Sequence, residues 1–236
     1  MLYKLALENI LFLDIETVPQ EEHFKNVSPE MQELYAQKTA YQRGDTFSPE
    51  EFYHKAGIWA EFGKIICISV GHFSFKGPKK FRVRSFYGEE QDILAQFNQL
   101  LEAHFSQTRH VLCAHNGKEF DFPYLARRMV ILGLKIPFKL QLFGKKPWEV
   151  PHLDTMDLWK FGDYKHYTSL KLLTQVLGIP SPKDDISGEQ VRDVYYKQND
   201  MDRIIRYCEK DTIAVAQIML RYRNEPILQD SDIVIT

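Results

Sequence analysis

Short apolar runs alternate along the chain with longer amphipathic segments. ILFLDI, residues 10–15, is apolar up to Asp14 and reads as a central strand buried on both faces. From about Pro19 to Gly57 the pattern turns polar. Within that stretch, SPEMQELYAQKTA and SPEEFYHKAG both open with Ser-Pro, a helix start with serine as N-cap and proline in the first turn. A mostly helical insert is expected there, between the first two strands. KIICISVGHFSF and KKFRVRSFYG then predict consecutive strands joined by a Gly-Pro turn.

EEQDILAQFNQLLEAHF predicts an amphipathic helix with Ile93, Leu94, Phe97, Leu100 and Leu101 on one face. HVLCAHNG reads as a short strand and turn. FPYLARRMVILG reads as a helix, with proline near its start and Gly133 past its end. Prolines and glycines break residues 134–162 into short pieces and loops. TSLKLLTQVLG predicts a short helix closed by Gly178, SGEQVRDVYYKQ another, and DMDRIIRYCEKDTIAVAQIMLRY a long last one. The expectation is an α/β fold, a mixed sheet flanked by helices, with chemistry at strand ends and loops. One domain is expected over residues 1–224, carrying the insert at about 19–57, with a peripheral tail at 225–236.

Composition narrows this little. The 236 residues are 44% hydrophobic and 26% charged, an ordinary mixture with enough chain for a substantial core. A net charge of −2 argues against a protein that coats long duplexes. It does not argue against an enzyme that holds one strand end. Cys67, Cys113 and Cys208 are widely spaced and read as buried thiols, with no zinc pattern. Acids interrupt the first apolar run too early for a membrane span, and no cleavable signal pattern is present, so the cytoplasm is the expected location.

The candidate chemistry lies in the acids. Asp14 and Glu16 stand two apart, on one face of a strand. Two like charges there are tolerable in solvent, and useful with a divalent cation between them. Asp121 sits where a strand leads into a helix, and alone it reads as an N-cap. Tyr207 and Asp211 are one helical turn apart on one face, whereas Glu209 and Lys210 read as solvated positions. Four carboxylates can hold two divalent cations about 3.5–4 Å apart, clamping a phosphate under in-line attack. Oxygen ligands favour Mg2+ or Mn2+. Tyr207 suits orientation of the attacking water better than base catalysis, because a phenol titrates near about 10.

The same residues carry a resemblance. LDIET, NGKEFD and YCEKD, in that order, resemble the three motifs of the DEDD superfamily of 3′–5′ exonucleases, in the form whose third motif carries tyrosine. The chain looks most like the proofreading domain of family-B DNA polymerases. More narrowly, it resembles the stand-alone bacterial proteins called predicted 3′–5′ exonucleases related to that domain. The resemblance implies a ribonuclease H-like fold and two-metal hydrolysis releasing nucleoside 5′-monophosphates from a free 3′ end. It implies Asp14, Glu16, Asp121 and Asp211 as metal ligands, with Tyr207 in the catalytic set. It also implies substrate contacts at Thr17 and Asn116, and at Phe120 either a base contact or packing behind the site. With Tyr207 in the third motif, His166 reads as structural or a peripheral substrate contact, and His115 as a local hydrogen-bonding residue rather than a metal ligand. The third motif lies close to the chain's end, so a stand-alone exonuclease is expected rather than a proofreading polymerase.

Basic runs at Lys76, Lys79, Lys80, Arg82 and Arg84, at Arg127 and Arg128, and at Lys145 and Lys146 read first as solvated faces. Lys145 and Lys146, beside Trp148, form the run expected to touch a strand end. Asp157 reads as a helix cap or outer support. Trp59 and Phe62 read as core rather than stacking residues. Three roles stay open for the insert: covering the cleft, binding a partner protein, or buttressing. The expected activity is a 3′–5′ exonuclease on single-stranded DNA. A 3′–5′ exoribonuclease or oligoribonuclease, and a non-catalytic nucleic-acid- or partner-binding scaffold, are the alternatives.

Overall fold

A computed structural model describes residues 2–163, 167–180 and 186–236, so His166 lies outside the described residues. Its strands are β1 (Ile10–Pro19), β2 (Gly63–Ser74), β3 (Lys80–Tyr87), β4 (Val111–Ala114), β5 (Leu153–Asp154) and β6 (Ile233–Ile235). Among the described residues they form one sheet in the order β5-β4-β1-β2-β3-β6. β2 runs antiparallel to β1 and β3, while the β1–β4, β4–β5 and β3–β6 pairs are parallel. The expected mixed sheet is therefore present, with β1 at its centre.

Alternation along β1 assigns its two faces. Leu11, Leu13 and Ile15 pack into a core with α3 (Glu90–His104) and α4 (Asp121–Ile131). Ile10 and Phe12 pack the other way, against α8 (Met201–Tyr222). Asp14 and Glu16 continue the Phe12 row and face the α8 side. β1 extends to Pro19, four residues beyond its apolar run, because Thr17, Val18 and Pro19 still pair with β2. An irregularity between Glu16 and Thr17 breaks the register just past the two acids.

The insert is helical, as expected. α1 (Pro29–Arg43) and α2 (Pro49–Phe52) begin at Ser28 and Ser48, whose hydroxyls accept the Met31 and Glu51 backbone N–H groups. Although the segment is polar, its few large apolar residues converge. Tyr35, Phe52, Tyr53 and Phe62 form a separate core with Trp59 packed against it. That core sits directly on the end of β1. A side chain at Gly57 would meet the Val18 backbone at 2.9 Å, and one at Gly63 would collide with the Tyr124 hydroxyl.

Four readings change. Arg128 is not a solvated charge: it is 2% exposed and makes a two-pronged pair with Glu90 at 2.8 and 2.6 Å. Its other nitrogen donates to the Ala60 carbonyl at 2.8 Å, so it clamps α4, α3 and the insert together. Asp121 is the first residue of α4 rather than its cap. SGEQVRDVYYKQ is no single helix. Beyond the short α6 (Leu170–Val176), it runs as a 3-10 turn, the short α7 (Val191–Asp193) and a π-helical turn at Val194–Gln198. Burial of Val191 and Val194 against Val18 and Ile204, with Tyr196 donating to the Pro19 carbonyl at 2.7 Å, sets that winding in place of propensity. The tail, finally, contributes an element: β6 pairs with β3 as an edge strand.

Candidate metal centre

β1 carries Asp14 and Glu16 to the end of its exposure to the α8 side. Carboxylate oxygens of these two and the Cys208 sulfur all lie within 4.8 Å of one another. Cys208 was read only as a buried thiol, and so it is, but it also borders the acids. Its Sγ–H donates to the Asp14 backbone carbonyl at 3.3 Å, tying α8 to β1. Burial, Cys67 and the neighbouring carboxylates push the Cys208 thiol up, which favours its protonated form.

Asp121 and Asp211 stand outside that tight group yet act on its charge. Burial, then the charges of Glu16, Asp211 and Asp121, raises Asp14 well above the usual carboxylate range. Burial, with Asp211 and then Cys67 and Asp121, does the same to Glu16. Asp121, 3% exposed, is pushed up to about 8 by burial and by Asp154 and Asp211, against backbone N–H donors at Asp121 and Ile15 that hold it down. The structure thus places the four acids in one electrostatic neighbourhood.

Two observations test whether this set suits a divalent cation. No lysine, arginine or histidine ion pair neutralises Asp14, Glu16 or Asp121 among the described residues. Asp14 Oδ2 is also buried without a hydrogen-bond partner. A buried, orphaned carboxylate oxygen among mutually repelling acids fits a hard cation.

Tyr207 and Asp211 face the same groove from α8. The groove is about 870 Å³ and is also lined by Asp14, His115, Lys210 and Gln217. The Tyr207 phenol is driven up by burial first and then by Asp211, Glu16 and Asp14, so it is held protonated. Lys210 therefore lines the site, contrary to the solvated reading. Glu209 is also no surface acid: it is 7% exposed and accepts from Ser85 Oγ at 2.9 Å, which in turn lies 2.8 Å from Ser69 Oγ.

The loop before α4 is held by an aspartate that the sequence reading left aside. Asp154, at the end of β5, accepts the backbone N–H groups of Asn116 and Lys118 at 2.9 and 3.0 Å. It also caps α5 (Thr155–Trp159) through Met156 and Asp157. Asp157, read as a cap or an outer support, is not the cap; it is on the surface and pairs with Lys118 at 3.0 Å. The usable signal was position: Asp154 ends an apolar-flanked strand, and Asp157 lies inside the helix.

The remaining expected contacts divide. Asn116 has a left-handed backbone, φ 62°, and its Oδ1 is buried without a partner. The Thr17 hydroxyl is committed to the Gly57 carbonyl at 2.8 Å. Phe120 packs against the α3–α4 core with its ring centroid 5.3 Å from that of Tyr124. His115 has partners on both ring nitrogens, the Thr155 hydroxyl at 2.9 Å and the Thr168 carbonyl at 2.8 Å. Lys145 and Lys146 are exposed and outside the lining of the Asp14 groove, with Lys146 Nζ 5.3 Å over the Trp148 ring. No described helix is long and apolar enough to cross a membrane.

Residues 58–226 match the family model described as predicted 3′–5′ exonuclease related to the exonuclease domain of PolB. The match contains Asp121, Tyr207 and Asp211 and begins after β1 and most of the insert. A DNA polymerase of Pyrococcus glycovorans is 20% identical over 182 residues, covering 70% of this chain and 23% of that protein. A DNA polymerase of Desulfurococcus sp. (strain Tok) is 20% identical over 192 residues, covering 73% and 24%. The chain thus spans about a quarter of the length of these relatives. A solved family B DNA polymerase from Pyrobaculum calidifontis superposes with a TM-score of 0.48 at 16% identity, covering 89% of this chain and 24% of that one. With its matched region taking in most of the residues, the chain belongs to the family of predicted 3′–5′ exonucleases related to the exonuclease domain of PolB.

Proposed function

We propose that this protein is a metal-dependent 3′–5′ exonuclease that shortens single-stranded DNA and releases nucleoside 5′-monophosphates. One observation carries the reading: Asp14 and Glu16 converge at a strand end with no cationic partner among the described residues, and Asp121 and Asp211 raise their charge cost further. Asp14, Glu16, Asp121 and Asp211 would hold two Mg2+ or Mn2+ ions. Bound there, the ions supply charge neutralisation at the phosphate and an acidified water.

The chain's own groups do the rest. Tyr207, protonated and open to the groove, orients the attacking water by hydrogen bonding and does not take its proton. The side-chain amide oxygen of Asn116, Oδ1, which has no partner within the protein, accepts a donor from the terminal nucleotide. Thr17 shapes that subsite through its main chain, since Gly57 holds its hydroxyl. DNA is favoured as substrate because the similar proteins are DNA polymerases.

The test is a time course on 5′-labelled single-stranded DNA with Mg2+ or Mn2+, beside EDTA and Asp14→Asn controls. A ladder retreating from the 3′ end, absent in both controls, is expected. Intact DNA beside a degraded matched RNA would move the substrate to RNA. If neither strand is cut, the catalytic reading fails.

A further inference from the structure

A second cationic surface lies on the sheet face turned away from the carboxylates. Along β3, Phe81 and Val83 point into the core shared with α8, whereas Phe86 points into the core shared with α3. Arg82 and Arg84 have the parity of Phe86 and so project on the α3 side. On β2, His72 has the parity of Val70 and projects there too. Asp14 and Glu16 project on the opposite side.

Between these strands and α3 runs a groove of about 810 Å³, lined by His72, Phe75, Lys76, Arg82, His104 and Phe105 among others. A smaller hollow of about 260 Å³ extends it past Arg84 and Phe86, and the two share Leu100 and His104. The α3 wall is Gln96, Gln99, Leu100, Ala103 and His104, a stripe at helical spacing without an acid. Glu8 supplies the one carboxylate in the lining. Lys76, Arg82 and Arg84 make no ion pair among the described residues. In a chain of net charge −2, that is a local excess of cations, set against one lining carboxylate, Glu8, among the described residues.

The floor is aromatic. The Arg84 guanidinium lies 4.9 Å from the centre of the Phe86 ring, and Phe75 is 49% exposed at the other end. Unneutralised guanidinium groups near one exposed ring, Phe75, suit a single nucleic-acid strand, whose phosphates take the cations and one of whose bases stacks on that ring. An acidic peptide would satisfy the arginines and leave the exposed ring without a matching partner. The α3 stripe spans about 12 Å, room for roughly three phosphates of a stacked strand.

We propose that this α3–β3 groove binds an unpaired nucleic-acid strand by its phosphate backbone, as a holding site separate from the nucleotides at the carboxylates. It rests on the nucleic-acid reading above, though not on hydrolysis. Its use would be to retain a long strand while the far face trims the end.

The test is equilibrium binding of a long, labelled single-stranded DNA to the full chain in EDTA, over a range of salt, so that hydrolysis plays no part. Arg82→Gln/Arg84→Gln is compared with wild type, and Lys76→Gln is a second variant that leaves the strand arginines in place. The double variant is expected to bind roughly tenfold more weakly, and its log–log salt slope to be shallower by about 1.4, two contacts at about 0.7 each. Lys76→Gln should lower the slope by about half as much. Hydrolysis of a trinucleotide, too short to reach the groove, should be unchanged. Equal affinity and slope in all three proteins would overturn the proposal. So would an acidic peptide that occupies the groove without being displaced by DNA. If the binding loss is seen but no protein cuts DNA, the holding site stands and the exonuclease reading fails.

Discussion

The Asp154 carboxylate accepts the Asn116 backbone N–H at 2.9 Å across 38 residues of sequence. It fastens β5 and α5 to the loop that delivers Asp121. Asp154→Ala removes the acceptor for four backbone donors at once and is expected to cost about 2–4 kcal/mol. Urea unfolding reads that loss. Asp154→Asn keeps one acceptor oxygen and should lose less. If Asp154 acts by holding the loop that leads to Asp121 and not as a ligand, the stabilisation by Mn2+ should survive in Asp154→Asn; its disappearance would make Asp154 a ligand.

Charge at the centre should work against the metal-free fold. Asp14 and Glu16 are raised by burial and by each other's neighbours, so ionising them costs stability. Asp14→Asn is therefore expected to stabilise the metal-free protein by on the order of 1 kcal/mol while abolishing hydrolysis. Thermal melts with and without Mn2+ check the stability, and the oligonucleotide time course checks the hydrolysis. Wild type should gain stability with the ion, and the variant should gain little. A variant less stable than wild type in EDTA would contradict the account.

Glu209 offers a contrast of the two ways to remove a charge. It accepts from Ser85 in a buried chain that continues to Ser69. Glu209→Gln preserves an acceptor and should change stability by less than about 1 kcal/mol, whereas Glu209→Ala strands the serine hydroxyls and should cost about 1–3 kcal/mol. Denaturant midpoints of the two variants decide it. Equal midpoints would mean that the serines find other partners.

His152 should set part of the acid sensitivity. Its ring nitrogens accept the Leu112 N–H at 3.2 Å and donate to the Lys139 carbonyl at 2.7 Å, a neutral arrangement. Burial first of all depresses it to about 4. Below about pH 6.5 the unfolded chain takes up a proton there that the folded chain refuses. Stability contributed by the neutral ring is thus full above about pH 6.5 and is lost as the pH falls toward about 4. The raised carboxylates at the metal centre act in the opposite sense, so the comparison is with His152→Phe. Between about pH 7 and pH 5 wild type should lose on the order of 2 kcal/mol relative to the variant. Parallel pH profiles would overturn this.

The sheet was legible because its strands are written in local patterns. Residues 10–15 and the pair from Lys64 and from Lys79 announce themselves by apolar runs and a Gly-Pro turn. That Asp14 and Glu16 share one face of a strand, and that Asp211 stands one turn from Tyr207 on a helix, was legible through the strand and helix periods that carry them. What stayed hidden depends on distant partners. Arg128 looks like surface until Glu90 and Ala60 meet it, and Glu209 until Ser85 does. Position could mark Asp154 as the cap, but not its hold on the loop before α4, because those partners lie 38 and 36 residues earlier. β6 is three residues long, too short for any period to show.

The insert has a kinetic meaning beyond its packing. β1 and β2 pair from Pro19 with Gly63 upward, so closing their first rung means closing the whole insert as a loop. A flexible loop of that length makes the pairing late and entropically costly. The aromatic cluster around Tyr35 removes that difficulty, because it folds the loop onto itself and brings Gly57 against Val18. Zippering can then proceed from Pro19 toward Asp14 in single-residue steps. The acidic end of β1 is in this way assembled by a local event rather than a long-range search, and mutations that loosen the Tyr35 cluster should slow folding more than they speed unfolding.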